Sequence, residues 1–164
     1  MATGFLAPEL ITVAESLEKQ FQLLGVPHRK IPSAEWDCLP PEIRKQMPHW
    51  LVSLLADYAL VCPFLDVGEE FREHGEVFSF WPPAVLSQSL SDSVFQDEIF
   101  GQGFIPLSDT SDGTGNLWLT ESTSDSLSPV YLFDLSDMER KLAADHLAHL
   151  LSGCKIDREN WRKH

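Results

Sequence analysis

The side chains best suited to chemistry lie near the C-terminus, in Asp145-His146-Leu147-Ala148-His149. Two histidines three apart on a helix share a face, and with a neighbouring carboxylate they could form an acid–base pair or half of a metal site. A zinc or iron site needs further ligands converging from elsewhere, and no H-E-x-x-H or paired-cysteine pattern supplies them. His146 also falls beside an apolar stripe, the usual place for a partly buried histidine with a satisfied ring. A second candidate is the run Asp109-Thr110-Ser111-Asp112-Gly113-Thr114-Gly115-Asn116. It lacks the alternating oxygen ligands and terminal glutamate of an EF-hand loop. Nor does Gly113-Thr114-Gly115 open a helix, as a phosphate cradle must. Turn chemistry accounts for these residues: Asp and Asn bond their own backbone, and Gly accepts positive φ. The serines sit in polar loops with no G-x-S-x-G context. Cys38, Cys62 and Cys154 are odd in number and widely spaced, so each is expected to be a small buried hydrophobe in a reducing compartment. No catalytic residue, metal or cofactor is expected, which favours a binding protein over an enzyme.

The elements that hold these residues are legible in the hydrophobic pattern. Leu10, Val13, Ala14, Leu17, Phe21 and Leu24 recur at helical spacing, with Pro8 as a first helical residue and Gly25 as a stop. A proline-rich connector follows, pinned by Trp36 and Leu39, with a helical turn over 41–45. Pro48 opens a second helix whose stripe is Trp50, Leu51, Leu54, Leu55 and Tyr58. Leu60 to Val67 reads as a strand that Pro63 confines to an edge or bulge. Val77 to Trp81 reads as a second strand, with a turn over Gly68 to Gly75 between them and His74 as a solvated loop histidine. A short helix is expected from Pro83, then a polar surface crossing from Ser91 to Phe100.

From Gly101 to Asp134 the sequence predicts a meander. Phe104 to Leu107, Leu117 to Leu119 and Val130 to Phe133 are short aromatic and branched runs suited to a pleated surface. Polar loops over 109–116 and 121–129 separate them. After Asp134, Ser136 and Glu139 are spaced as a capping box, and Met138, Leu142, Ala143, Leu147, Leu150 and Leu151 form a helical stripe ended by Gly153. The sequence thus predicts a single helix from this cap to Gly153, followed by a peripheral tail from Cys154.

Charge carries the remaining information. The 164-residue chain has a formal net charge of −13, and from Glu73 through Glu139 there is no Lys or Arg. That segment holds Glu73, Glu76, Asp92, Asp97, Glu98, Asp109, Asp112, Glu121, Asp125, Asp134, Asp137 and Glu139. Nucleic-acid binding is disfavoured there, because phosphates are met by Lys and Arg. A basic partner is favoured, since complementary potentials steer encounter. There is no apolar run long enough for a membrane span, and Met1 to Leu10 carries no basic residue ahead of an apolar block, which argues against a signal peptide. A cytoplasmic location is expected.

The order of these pieces resembles the SMI1/KNR4 family, of the SUKH superfamily, over roughly Met47 to Leu151. The residues that carry the resemblance are Gly103-Phe104-Ile105-Pro106-Leu107, Asp112-Gly113-Thr114-Gly115-Asn116 and Pro129-Val130-Tyr131, flanked by Met47-Pro48-His49-Trp50-Leu51 and Phe78-Ser79-Phe80-Trp81-Pro82-Pro83. Departures are an extra N-terminal helix and Asp57-Tyr58-Ala59-Leu60 in place of an Asn-Gly pair. The resemblance implies an α+β single domain, a twisted mixed or mostly antiparallel sheet of five to six strands flanked by helices. Within residues 1–164, residues 47–151 would be the core, 1–46 an N-terminal helix and connector, and 152–164 a tail. It also implies a non-catalytic protein-binding role, in bacteria that of an immunity protein neutralising a toxin, often a nuclease. On this reading Asp109, Asp112, Glu121 and Asp125 form the contact face for a basic toxin domain. A regulatory or scaffold interaction module without a toxin is the alternative, and a small hydrolase using His146 or His149 a third. The oligomeric state is left open.

Overall fold

The computed structural model describes residues 5–63, 65–110 and 114–157. Pro8 and Gly25 bound the first helix, α1 (Pro8–Leu24), as their chemistry dictates: Pro8 lacks the N–H that a first turn cannot use, and Gly25 adopts φ 68° while its N–H closes on the helix. Leu10, Ala14, Leu17 and Phe21 face inward and are essentially fully buried. Each large side chain so covered contributes about 1.5–3 kcal/mol. Trp36 and Leu39 pin the connector as expected. Two helices follow, α2 (Pro41–Arg44) and α3 (His49–Asp57), the latter burying Trp50, Leu51, Leu54 and Leu55.

The meander forms as the sequence predicts. Strands β2 (Phe104–Asp109), β3 (Leu117–Glu121) and β4 (Val130–Asp134) pair antiparallel in chain order. β2 carries a bulge between Pro106 and Ser108, which is where a strand tolerates a proline. A fourth strand, β5 (Glu139–Ala144), completes the sheet at the far edge. A two-stranded antiparallel pair, β1 (Leu65–Asp66) with β6 (Lys155–Ile156), lies apart from it in the hydrogen-bonding scheme. The architecture is α+β, with antiparallel sheets flanked by helices.

Both faces of the large sheet are covered, which explains why β2 to β4 read as nearly continuous apolar runs rather than alternating ones. The main core unites α1, α3, the inward residues Ile105, Trp118, Val130 and Leu132, and the C-terminal helix α5 (Leu147–Ser152). On the other face Leu117, Leu119 and Phe133 pack with Ile99 beneath the segment that follows α4 (Pro83–Ser89). That segment, expected as a polar crossing, is a π-helix over Phe95–Ile99 running into a 3-10 turn at Phe100–Gln102, and it buries Ile99 and Phe100.

The long helix expected from Ser136 to Gly153 does not form. Residues 135–138 are a turn and β5 takes the place of its first half. Three local bonds compete with the capping box. Asp134 Oδ1 accepts from Ser136 N at 3.0 Å and Ser136 Oγ at 2.6 Å, and Asp137 Oδ1 accepts from Glu139 N at 3.0 Å. Such Asx turns divert the backbone from helix. Asn116 Oδ1 also accepts from Leu135 N, tying the turn to the β2–β3 loop. Met138 sits at φ 58°. The expected stripe is accordingly split: Met138 and Leu142 are exposed, whereas Leu147, Leu150 and Leu151 are buried on α5. The true helix cap is His146, whose Nδ1 accepts from His149 N.

Three smaller expectations also change. The strand over Leu60 to Val67 shrinks to β1, with Val61 making only a bridge to Arg29; Phe64 lies outside the described residues. The expected strand Val77 to Trp81 contributes one bridge, Val77 to Asp66, but hydrogen-bonds along β2. The tail is not wholly peripheral, since Cys154 is buried and Lys155–Ile156 pair with β1. There Gly68 and Gly153 approach so closely that a Cβ on Gly68 would lie 3.2 Å from Gly153 Cα.

Candidate functional site

The four carboxylates singled out by sequence do not share a surface. In an antiparallel meander alternate loops fall at opposite ends, and the pairing Asp109↔Leu117 and Phe104↔Glu121 puts Asp109 at one end and Glu121 at the other. Four residue steps of β3 separate them, about 14 Å. Asp112 lies outside the described residues. Asp125 is on the Glu121 side, exposed, and its Oδ1 accepts from Leu127 N at 2.9 Å in a closed turn.

The loop bearing Asp125 is fastened to the core. Ser124 and Ser126, on either side of it, are buried at 2% and 4% exposure. Trp50 Nε1 and Thr120 Oγ1 both donate to Ser124 Oγ, each at 3.2 Å. Ser126 Oγ accepts from Ala7 N and donates to Phe5 O. Alternation of buried serine and exposed aspartate is a strand-like signal that composition alone, all polar, does not reveal.

The Asp109 end gathers a different set. Asp134, Asp137 and Lys141 surround the β4–β5 turn, with Lys141 Nζ 3.1 Å from Asp134 and 3.2 Å from Asp137. Hydrogen bonds from Ser136 and then Lys141 hold the Asp134 carboxyl below its ordinary value, and the bonds to Asp134 and then Asp137 raise Lys141. Arg140, the first cation after the acidic run, lies with its guanidinium 5.0 Å from the centroid of the Phe104 ring and donates to Glu98 O at 2.9 Å. Both cations of β5 are thus engaged within the fold. Tyr131, on the same face as Phe104, donates to Glu121; burial, then the Glu121 charge, raises its hydroxyl pKa.

The two histidines do share a face, with ring centroids 6.3 Å apart. Their bonds are structural. His146 caps α5, and His149 lies edge-on to Phe71 with Nε2 3.3 Å from Glu70 and Nδ1 3.8 Å from Asp145. Of the cysteines, Cys62 and Cys154 are buried as expected but Cys38 is exposed, on the solvent side of the 3-10 turn Ser33–Cys38. Burial first, then the nearby Asp66 carboxylate, pushes the Cys154 thiol up to about 12, which leaves it inert. His74 is half-buried beside Glu73 rather than simply solvated.

A groove of about 690 Å³ opens beside β2. Val77, Ser79, Trp81, Pro27, Val61, Pro63 and Val85 line it, together with the polar or charged His28, Arg29 and Asp109. Trp81 is steadied by stacking on Phe95 at 5.9 Å. Arg29 makes paired 2.9 Å bonds to the two Glu35 oxygens, which raise its pKa and lower that of Glu35. This apolar cleft with a few polar groups at its edge falls within the usual size range of ligand sites, about 300–1,000 Å³.

No family model, curated protein or solved structure matches the chain. Of the sequence motifs quoted above, Asp112 and Gly113 lie outside the described residues, and two others fall at strand starts. Gly103 to Leu107 opens β2 with Gly103 at φ 81°, and Pro129-Val130-Tyr131 opens β4. No helix among the described residues is long and apolar enough to cross a membrane.

Proposed function

We propose that this chain is a non-catalytic protein-binding domain of the SMI1/KNR4 type, an immunity protein that neutralises a basic toxin domain. The observation that carries this reading is the distribution of charge. Every residue of β2, β3 and β4 and of the loops between them comes from the run without Lys or Arg; on β5, Lys141 is paired with Asp134 and Asp137, and Arg140 lies over the Phe104 ring and donates to the Glu98 backbone carbonyl. The field this leaves would steer a partner whose own surface is built to hold phosphates. Because Asp109 and Glu121 lie at opposite ends of β3, a single partner face is served by one end; the Asp109 end, next to the groove, is the one assigned to it. Exposed carboxylates act through their summed field, so single changes weaken association mildly and charge-neutralising sets weaken it strongly.

The test is association of the chain with the toxin domain encoded beside it, measured by stopped flow across a salt series. Asp109→Asn combined with Asp137→Asn should lower the association rate and flatten its salt dependence, while Glu121→Gln with Asp125→Asn should change neither. An unchanged rate in the first double variant, or no neighbouring toxin, would sink the reading and leave the regulatory-module alternative standing.

A further inference from the structure

We infer that a second, smaller cavity, between the π-helix and the meander, binds a small organic ammonium ion with an apolar head of the trimethylammonium kind. This goes beyond the protein-binding reading above and does not depend on it.

The cavity measures about 250 Å³, and Trp81 and Asp109 line both it and the groove beside β2. Drug-sized ligands occupy about 300–1,000 Å³, so the occupant here is small. Its lining passes from Ile99 and Phe133, which are fully buried, to Asp92 and Leu135, which are exposed. The cavity therefore reaches from the second core cluster out to solvent. Local bonds hold its parts in place. Trp81 stacks on Phe95 at 5.9 Å and its backbone N–H donates to Leu107 O. Leu135 N donates to Asn116 Oδ1, and the Leu135 side chain lies so close to Gly115 that a Cβ there would be 2.9 Å from it.

Two features of the lining select a cation with an apolar body. First, three of the side chains are aromatic, Trp81, Phe95 and Phe133, and the negative face of such a ring attracts an ammonium group. Second, the only charged groups in the lining are the carboxylates of Asp92 and Asp109. Asp92 Oδ1 accepts from Val94 N at 2.9 Å, a bond that fixes the carboxylate without cancelling its charge. Asp109 has an interaction of its own. A carboxylate accepts at about four sites, so one local bond does not exhaust either group. The cations of β5 lie elsewhere, Lys141 with Asp134 and Asp137, Arg140 over Phe104. An anion would be repelled from this mouth. A neutral apolar body would strip water from the Asp92 carboxylate and return nothing for it. A compact ammonium ion satisfies both the rings and the carboxylates.

The experiment titrates the full chain with choline and, separately, with neohexanol, its uncharged isostere in which a tert-butyl group replaces trimethylammonium. Calorimetry gives the affinities and NMR the place. Choline should bind saturably at millimolar concentration, shifting the Trp81 indole, the Gly115 amide and the Leu135 methyls, with neohexanol at least about tenfold weaker. Added salt should weaken choline and leave neohexanol unchanged. Asp92→Asn keeps the acceptor for Val94 N and removes the charge, so it should narrow the gap between the two ligands. Phe95→Leu keeps an apolar side chain but loses a ring, and should weaken choline more than neohexanol. Thermal melts check that both variants fold, and Asp92→Asn, being exposed, decides the matter if Phe95→Leu does not. Equal affinity for the two ligands overturns the inference, as does a choline response that never saturates, that maps to the acidic surface at large, or that survives Asp92→Asn undiminished.

Discussion

Trp50 donates its indole N–H to Ser124 Oγ at 3.2 Å, joining α3 to the loop between β3 and β4 at a point where both side chains are buried. The same hydroxyl accepts from Thr120, so one serine satisfies two donors. Ser124→Ala should therefore cost about 1–3 kcal/mol, the penalty for stranding buried polar groups. Urea denaturation measures it, and in combination with Trp50→Phe the loss should be less than the sum of the single changes.

Gly75 is fixed by crowding. A Cβ there would lie 2.6 Å from Thr110 Cγ2 and 2.9 Å from Trp118 Cζ2, and Trp118 is itself held by its bond to Val77 O. Gly75→Ala is expected to destabilise by about 1–3 kcal/mol through overpacking. A shifted urea midpoint with unchanged slope would support this, and a neutral substitution would contradict the contact.

Two aspartates give pH dependences of opposite sign. Asp134 is depressed by Ser136 and Lys141, so it contributes stability above its ordinary value near 3.8, and that contribution is lost as pH falls through the lower folded value. Asp66 is raised by burial and by Asp157, so its contribution is full below about 3.8 and is lost as pH rises through the folded value. Denaturation at neutral and acid pH should find Asp134→Asn harmful only at the higher pH, and Asp66→Asn helpful only there.

The β4–β5 turn offers a direct contrast between strand and helix. With Met138 at φ 58°, Met138→Gly should be neutral to stabilising by up to about 1 kcal/mol, whereas in a helix the same change would cost about that much. Leu142, 59% exposed on β5, should tolerate Thr without loss. Thermal melts of the two variants decide.

These sites also mark where the sequence was readable. Helix α1 and the strands β2 to β4 announce themselves, because the spacing of Leu10, Leu17 and Phe21 and the aromatic runs agree with the tertiary outcome. Glu139 to Ala144 misleads: Glu, Arg, Lys, Leu and Ala are all good helix formers, and only the unpaired edge of β4, invisible to local pattern, draws them into a strand. The candidate site was legible in charge and illegible in place. Asp109 and Glu121 are equivalent in composition, and their separation follows from which loop ends up at which end of the sheet. The groove was hidden for a further reason. Its lining residues Pro27, Val61, Val77 and Asp109 come from separate segments, and only the folded chain brings them together.

The bonds of Ser126 to Phe5 and Ala7 span about 120 positions of the chain, and α1 packs on α5 nearer still to the C-terminus. Part of the cover of α1 is therefore supplied by residues far along the chain. Until the meander and α5 have emerged, its stripe of Leu10, Leu17 and Phe21 has little to cover it, and folding that depends on such distant contacts is slow. A chain cut short before α5 would thus leave part of the α1 stripe uncovered.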